Sequence, residues 1–246
     1  MVKHWLLIGL ACLAPGAAWC EEGEIPLLHA GTDITQVESL QRGARNFLNY
    51  CSGCHSLKYL RYNRMAKDLK IPEAMLADNL MFTSDKVFET INSAMPADSE
   101  GWFGRQPPDL SLIARAKGVD YVYSFLKGFY ADKARPWGVN NLYLQNAAMP
   151  HVLQERQGLQ KGVFKAETDG HGGTRMVIEG VEPMTQGAMK PEEYDHLVRD
   201  VANFLDYAGE PVKASRQSMG VFVMLFLLVF FAFAYLLKKE YWKDVH

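Results

Sequence analysis

The amino-acid sequence predicts a mainly α-helical domain with long loops, followed by one C-terminal transmembrane helix. Three observations predict this fold class. Apolar residues recur at helical spacing in three segments, strand signals are sparse, and the run from Met219 to Leu237 carries no charged residue. The 246 residues suit one large domain or two small ones, and 48% hydrophobic with 22% charged residues is typical of a globular protein.

The overall charge excludes one class of partner. The chain has 26 Lys+Arg and 28 Asp+Glu, which gives a formal net charge of −2. Because binding to a phosphate backbone needs a basic surface, we expect no nucleic-acid partner. Four cysteines are too few for a disulfide scaffold in a chain of this length.

Residues 1–20 have the pattern of a secretory signal peptide. Lys3 and His4 form a short polar start, and an apolar run from Trp5 to Leu13 comes next. This run is too short to cross about 30 Å of hydrocarbon. Cleavage is expected after Ala18 or after Cys20, and the sequence does not choose between the two.

The run from Met219 to Leu237 has the length and composition of a membrane span. It would be roughly 28 Å long as a helix, close to the hydrocarbon thickness. Arg216 precedes it, and Lys238 and Lys239 follow it. Aromatic residues suited to a membrane interface lie near its end, namely Tyr235, Tyr241 and Trp242.

The two ends together predict the topology, because a signal peptide exports the chain behind it and a late span stops the transfer. We expect a signal peptide over residues 1–20, an exported domain over 21–217, a transmembrane helix over 218–237 and a cytoplasmic tail over 238–246.

Within the exported domain, three segments are predicted helices. They are Ser39 to Tyr50, Asp120 to Phe129 with Asp120 as an N-cap candidate, and Pro191 to Ala208. Loops rich in proline and glycine are predicted over Met95 to Leu110 and Gly158 to Gly187. So few regular elements leave a modest core, and a bound group is expected to complete it.

The segment Cys51-Ser52-Gly53-Cys54-His55 identifies that group. C-x-x-C-H is the attachment pattern of c-type haem. The two cysteine sulfurs add to the two vinyl groups of the porphyrin, and the adjacent histidine lies under the iron. We therefore predict one haem c, bound covalently through Cys51 and Cys54, with His55 as an axial ligand.

Two other uses of a C-x-x-C pair are less consistent with the chain. A structural zinc site usually needs a second close pair of ligands, and the remaining cysteines lie in the signal segment. A thioredoxin-like redox pair would require alternating strands and helices, which the pattern does not predict.

The residues alone leave the sixth iron ligand undecided. A methionine thioether suits electron transfer because it raises the reduction potential. The distance along the chain from His55 favours Met95. Both Met95 and Met149 are followed by a proline that would stiffen the loop. His151 is a third choice. The full set of candidates is Met65, Met75, Met81, Met95, Met149, Met176, Met184, Met189, His29, His151, His171 and His196.

Several short segments occur in a specific order along the chain. Besides the haem motif they are Trp102-Phe103-Gly104, Pro107-Pro108-Asp109-Leu110, Ala134 to Asn141, Ala148-Met149-Pro150 and the C-terminal Lys239 to His246. In this ordered set the chain resembles the cytochrome c1 family in its proteobacterial form, from about Ile25 to the C-terminus. A cytochrome c-like haem domain is the fold that the resemblance implies.

The resemblance also implies residue roles. The family's axial methionine lies in a Met-Pro-like loop after the P-P-D-L segment, which corresponds to Met149. Arg115, Lys117 and Tyr121 match polar positions that the family places near the haem propionates. Lys117 stands where relatives often have Arg, and it keeps the charge without the bidentate geometry.

By resemblance, the chain is a membrane-anchored cytochrome that takes one electron from a Rieske iron–sulfur protein. It passes the electron to a cytochrome c within a quinol–cytochrome c reductase complex. No catalytic residue is expected, since the chain would be a subunit of the enzyme. Cytochrome b and a dimeric complex are the further implied partners. The implied location is the bacterial inner membrane, with the haem domain periplasmic and the C-terminus cytoplasmic.

Two alternative functions remain open. One is a haem c subunit of a terminal oxidase, which would more often carry a second C-x-x-C-H motif or an uncleaved N-terminal anchor. The other is a haem-based sensor, which would lack a strong sixth ligand.

Overall fold

The computed structural model describes residues 25–168 and 174–244. In this part of the chain helices predominate, and the mainly α-helical fold class is confirmed. The predicted signal peptide, residues 1–20, lies outside the described residues, as do the last two residues of the predicted tail.

The described elements alternate between helices and short strands. The helices are α1 (Val37–Tyr50), α2 (Tyr62–Asp68), α3 (Glu73–Leu80), α4 (Glu100–Phe103), α5 (Ile113–Lys117), α6 (Val119–Lys127), α7 (Gln154–Gln157), α8 (Pro191–Gly209) and α9 (Lys213–Tyr241). The strands are β1 (Leu57–Arg61), β2 (Thr90–Ile91), β3 (Phe129–Ala131), β4 (Val139–Asn141), β5 (Gln160–Thr168) and β6 (Thr174–Pro183).

The three predicted helices are confirmed as α1, α6 and α8, with small differences at their ends. The prediction of Asp120 as an N-cap is wrong, because α6 begins one residue earlier at Val119. The Asp120 carboxylate instead accepts a hydrogen bond from the backbone N–H of Ala30 at 2.8 Å and lies 3.2 Å from the His29 ring.

The core is organised around the crossing of α1 and α8. Gly43 allows the close approach, since a Cβ at this position would overlap the carbonyl oxygen of Asp200. The rings of Phe47 and Phe204 pack beside the crossing with centroids 5.7 Å apart. The Ser39 hydroxyl donates to the buried Asp200 carboxylate at 2.7 Å. These contacts fix the end of α1, where the C-x-x-C-H motif begins.

The largest difference from the sequence prediction is a sheet. β4, β3, β5 and β6 form four neighbouring strands, in which β3 pairs with β5 in parallel and the other pairs are antiparallel. The predicted loop over Gly158 to Gly187 is therefore wrong for most of its length, because β5 and β6 form a long hairpin there. The predicted loop over Met95 to Leu110 holds the one-turn helix α4.

The C-terminal helix α9 contains the predicted membrane span. It has 29 residues, a mean hydropathy of 2.7 over its apolar window, and no part of that window buried. Among the described residues it is the one helix long and apolar enough to cross a membrane. Only Glu210 to Val212 separate it from α8. The ion pair of Lys213 with Asp206 at 2.8 Å joins the two helices, and Arg216 pairs with Glu210 of the connection at 2.8 Å.

Candidate cofactor site

The C-x-x-C-H motif forms a tight turn that continues from the end of α1. The backbone N–H groups of Cys51 and Ser52 donate to the carbonyl of Phe47, at 2.8 and 3.0 Å. The N–H groups of Cys54 and His55 donate in turn to the carbonyl of Cys51. The motif is thus held on a rigid helix end, as the sequence predicted.

Both cysteines of the motif line an apolar cleft. Burial raises the pKa of the Cys51 thiol to about 12 and also raises the pKa of Cys54. No group of three or more His, Cys, Asp or Glu side chains suited to a metal ion occurs among the described residues. The described residues therefore do not supply the further ligands that a structural zinc site needs.

His55 is oriented by a hydrogen bond to the Pro107-Pro108 segment. Its Nδ1 lies 2.7 Å from the carbonyl oxygen of Pro108. Because a carbonyl can only accept, Nδ1 must carry the proton, which leaves Nε2 as the basic nitrogen. Burial lowers the pKa of this imidazole, so the ring is neutral, as a metal ligand must be.

The cleft beside the motif encloses about 1240 Å³, including the part open to solvent. Its lining is mostly apolar and comes from α1, α6, α8 and the loops before α5 and α7. The lining includes Tyr50, Cys51, Cys54, His55, Phe103, Arg105, Tyr121, Phe125, Leu144, Met149, Pro150 and Val152. Two cysteine sulfurs that can bond to the porphyrin vinyl groups lie in one apolar cleft with an imidazole and a thioether that can bind iron. The residues therefore fit a c-type haem.

Met149 lines this cleft together with His55 and the two cysteines. The structure describes all eight candidate methionines, and the other seven, Met95 included, are not among the lining residues. His151 is buried outside the lining, where its ring stacks on Phe129 with centroids 4.7 Å apart. Burial lowers its pKa to about 4. The cleft thus brings Met149, and neither Met95 nor His151, together with Cys51, Cys54 and His55.

A polar network that the sequence did not reveal holds the chain before Met149. The Asn140 side-chain oxygen accepts the backbone N–H of Asn146 at 2.8 Å, and its amide donates to Asp132 at 3.0 Å. The Arg135 guanidinium donates to the side-chain and backbone oxygens of Asn146 at 3.1 and 3.2 Å. Asn146 has a φ of 61°, a left-handed conformation that asparagine tolerates better than most residues.

The three predicted propionate contacts lie in different places. Tyr121 lines the cleft, and burial raises its pKa. Lys117 and Arg115 are not among the lining residues, and the Lys117 ammonium lies 5.8 Å from the centre of the Tyr121 ring. Arg105 does line the cleft and was not predicted. Its only signal in the sequence is its position just before Pro107.

Comparisons with known proteins agree with this site. The model of the Cytochrome C1 family matches residues 82–245. Cytochrome c1 of Allochromatium vinosum is 48% identical, and the alignment covers 100% of both chains. The ammonia monooxygenase gamma subunit of Nitrosomonas europaea is 41% identical over 100% of this chain and 99% of its own. Cytochrome c1 of Rhodospirillum rubrum is 27% identical over 100% and 98% of the two chains.

Proposed function

Because the chain belongs to the cytochrome c1 family and carries one covalently bound haem c, we propose that it passes single electrons between two protein partners. It is a c-type cytochrome of the respiratory bc1 complex, with one C-terminal helix as its membrane anchor. In the proposed reaction it accepts one electron from a Rieske iron–sulfur protein and gives it to a cytochrome c. The chain acts as an electron-transfer subunit, and the complete reductase is the enzyme.

Four side chains hold the haem in this proposal. Cys51 and Cys54 form the thioether bonds, and His55 and Met149 are the axial ligands. The observation that carries the assignment is that all four line one apolar cleft. When bound, the haem supplies an iron centre that can exchange one electron.

The protein's own groups prepare the site for electron transfer. The Pro108 carbonyl orients the His55 ring and increases the basicity of the opposite nitrogen. A methionine ligand gives a higher reduction potential than a second histidine would. The apolar lining keeps water from the porphyrin ring. Among the three predicted propionate contacts, Tyr121 is the one that lines the cleft. Arg115 and Lys117 stay predictions for that role.

The proposed topology is based on the order of the segments. Residues 1–20 are the signal peptide, 21–217 the periplasmic haem domain, 218–237 the transmembrane helix and 238–246 the cytoplasmic tail in the bacterial inner membrane. Cytochrome b, the Rieske protein and a second copy of the assembly are the proposed partners. A relative named cytochrome b/c1, of Bradyrhizobium diazoefficiens, supports the link to cytochrome b.

Stopped-flow spectroscopy of the purified complex tests the function. Added quinol should reduce the haem c, and oxidised cytochrome c should then reoxidise it. Removal of the Rieske protein should abolish the first step and leave the second intact. Haem that stays oxidised in the intact complex would contradict the proposal.

Co-purification from solubilised membranes distinguishes the remaining assemblies. Cytochrome b and a Rieske protein are the expected companions. Oxidase subunits would support the terminal oxidase alternative, and carbon monoxide binding by the unmodified protein would support a sensor. The similarity to a protein named ammonia monooxygenase gamma subunit makes monooxygenase subunits a further outcome to look for.

A further inference from the structure

One side-chain contact joins the haem-attachment turn to the chain that comes after Met149. Arg156 lies on α7, and its Nε donates a hydrogen bond to the hydroxyl of Tyr50 at 3.1 Å. Its guanidinium carbon also lies 5.8 Å from the centre of the Tyr50 ring, within cation–π range. Tyr50 is the last residue of α1, directly before Cys51, and it lines the cleft.

The Arg156–Tyr50 hydrogen bond has no counterpart between the two segments that it connects in the described structure. Among the described residues, it is the one hydrogen bond between residues 149–157 and residues 50–55. The other bonds of α7 go elsewhere. The N–H groups of Ala188 and Met189 donate to the carbonyls of Glu155 and Arg156, at 2.8 and 3.1 Å. The Gln157 side chain donates to the Lys127 carbonyl at 3.2 Å.

We propose that Arg156 is a positioning residue, whose contact with Tyr50 holds the Met149 loop against the haem-attachment turn. The inference rests on the proposed ligation by Met149. A thioether is a neutral ligand. The fraction of time that it is bound to the iron depends on how closely the chain holds it near the iron. A tethered ligand competes with a free one through its effective concentration, which falls when the tether loosens. Loss of the Tyr50–Arg156 contact therefore makes Met149 easier to displace.

The contact is suited to this task by its chemistry. The planar guanidinium of Arg156 donates to the Tyr50 hydroxyl and also lies over the ring. Arg156 is itself only partly buried, so the contact is not required to satisfy a charge in the core. The contact involves none of the residues of the α1–α8 crossing at Gly43, so its removal leaves the contacts of that crossing in place.

Imidazole titration of the oxidised, haem-loaded full-length protein in detergent tests the proposal. Tyr50→Phe removes one oxygen and keeps the ring, and Arg156→Met removes the donor and the charge at similar length. We expect imidazole to bind about 3- to 10-fold more tightly to each variant, the range expected from one lost hydrogen bond. The sulfur-to-iron charge-transfer band should weaken, and the reduction potential should fall.

Two exposed residues provide matched controls. Tyr59 on β1 is 73% exposed, and Arg45 lies exposed on α1. Tyr59→Phe and Arg45→Met make the same chemical changes away from the contact, and both should titrate like the wild type. Thermal unfolding of all variants separates local loosening from a general loss of stability.

The outcomes distinguish this inference from the proposed function. If Met149→Leu keeps the charge-transfer band, the ligand assignment fails and the inference fails with it. If Met149→Leu loses the band while Tyr50→Phe and Arg156→Met bind imidazole like the wild type, only the positioning role is overturned. Should Arg156→Met not accumulate, Tyr50→Phe alone decides the question.

Discussion

The ring nitrogen Nδ1 of His55 and the carbonyl oxygen of Pro108 lie 2.7 Å apart, although 53 residues separate them in the chain. This hydrogen bond connects the haem motif with the P-P-D-L segment. A second bond, from the Leu110 N–H to the Ser56 carbonyl at 2.9 Å, runs beside it. The proposed iron ligand is thus oriented by backbone groups, which side-chain substitutions nearby leave in place.

Replacement of Met149 by Leu should remove the sixth ligand while nearly conserving the side-chain volume, a change that usually costs less than about 1.5 kcal/mol. The variant should fold and keep its covalent haem. Its reduction potential should fall, carbon monoxide should bind to the reduced form, and quinol oxidation by the complex should stop. Met95→Leu is the control, and redox titration with carbon monoxide difference spectra is the measurement. A normal potential in Met149→Leu with a lowered one in Met95→Leu would reverse the ligand assignment.

Double replacement of Cys51 and Cys54 by Ala should abolish covalent attachment of haem. On a denaturing gel, the wild-type band should stain for haem and keep its colour after acid–acetone extraction. The double variant should show no stained band. Ser52→Ala changes the middle of the same motif and should keep the stain. Haem that acid–acetone removes from the wild type would contradict the attachment model.

Removal of all residues after Gln217 should release a soluble, haem-loaded domain. The truncation deletes the apolar part of α9 and keeps Lys213 and Arg216, whose ion pairs with Asp206 and Glu210 remain possible. Fractionation of cells into periplasm and washed membranes is the measurement. A fragment that stays in the washed membranes would show that another part of the chain also anchors the protein.

Substitution of Gly43 by Ala should destabilise the haem domain by about 1–3 kcal/mol, the usual cost of overpacking a core. The added Cβ would meet the Asp200 carbonyl and the Phe204 side chain, neither of which can move without shifting α8. Gly101→Ala is the matched control, since a Cβ there meets nothing within 4 Å. Denaturant unfolding of the two variants should therefore differ clearly, and equal midpoints would refute the proposed role of Gly43 in the helix crossing.

The sequence predicts those elements whose residues interact locally. α8 was recognisable because Pro191 starts it, and because apolar residues recur along one face until Gly209. The C-x-x-C-H motif was recognisable because all its chemistry lies within five residues. Both features appear in the structure where they were predicted.

The features that the sequence did not predict depend on distant parts of the chain. β5 is exposed or half-buried along its whole length, so it lacks the alternation of apolar and polar residues that marks a strand. The choice between Met149 and Met95 depends on which loop reaches the cleft. That loop is held by Arg135, Asn140 and Asn146, whose contacts no local pattern reveals.

The short connection between α8 and α9 limits how far the haem domain can travel. Glu210 to Val212 span about 11 Å when fully extended. The ion pairs of Lys213 with Asp206 and of Arg216 with Glu210 restrict the movement of this connection further. A domain on so short a connection stays close to the end of its membrane anchor. In the proposed function, an electron donor or acceptor that lies away from the membrane surface would therefore have to approach this domain.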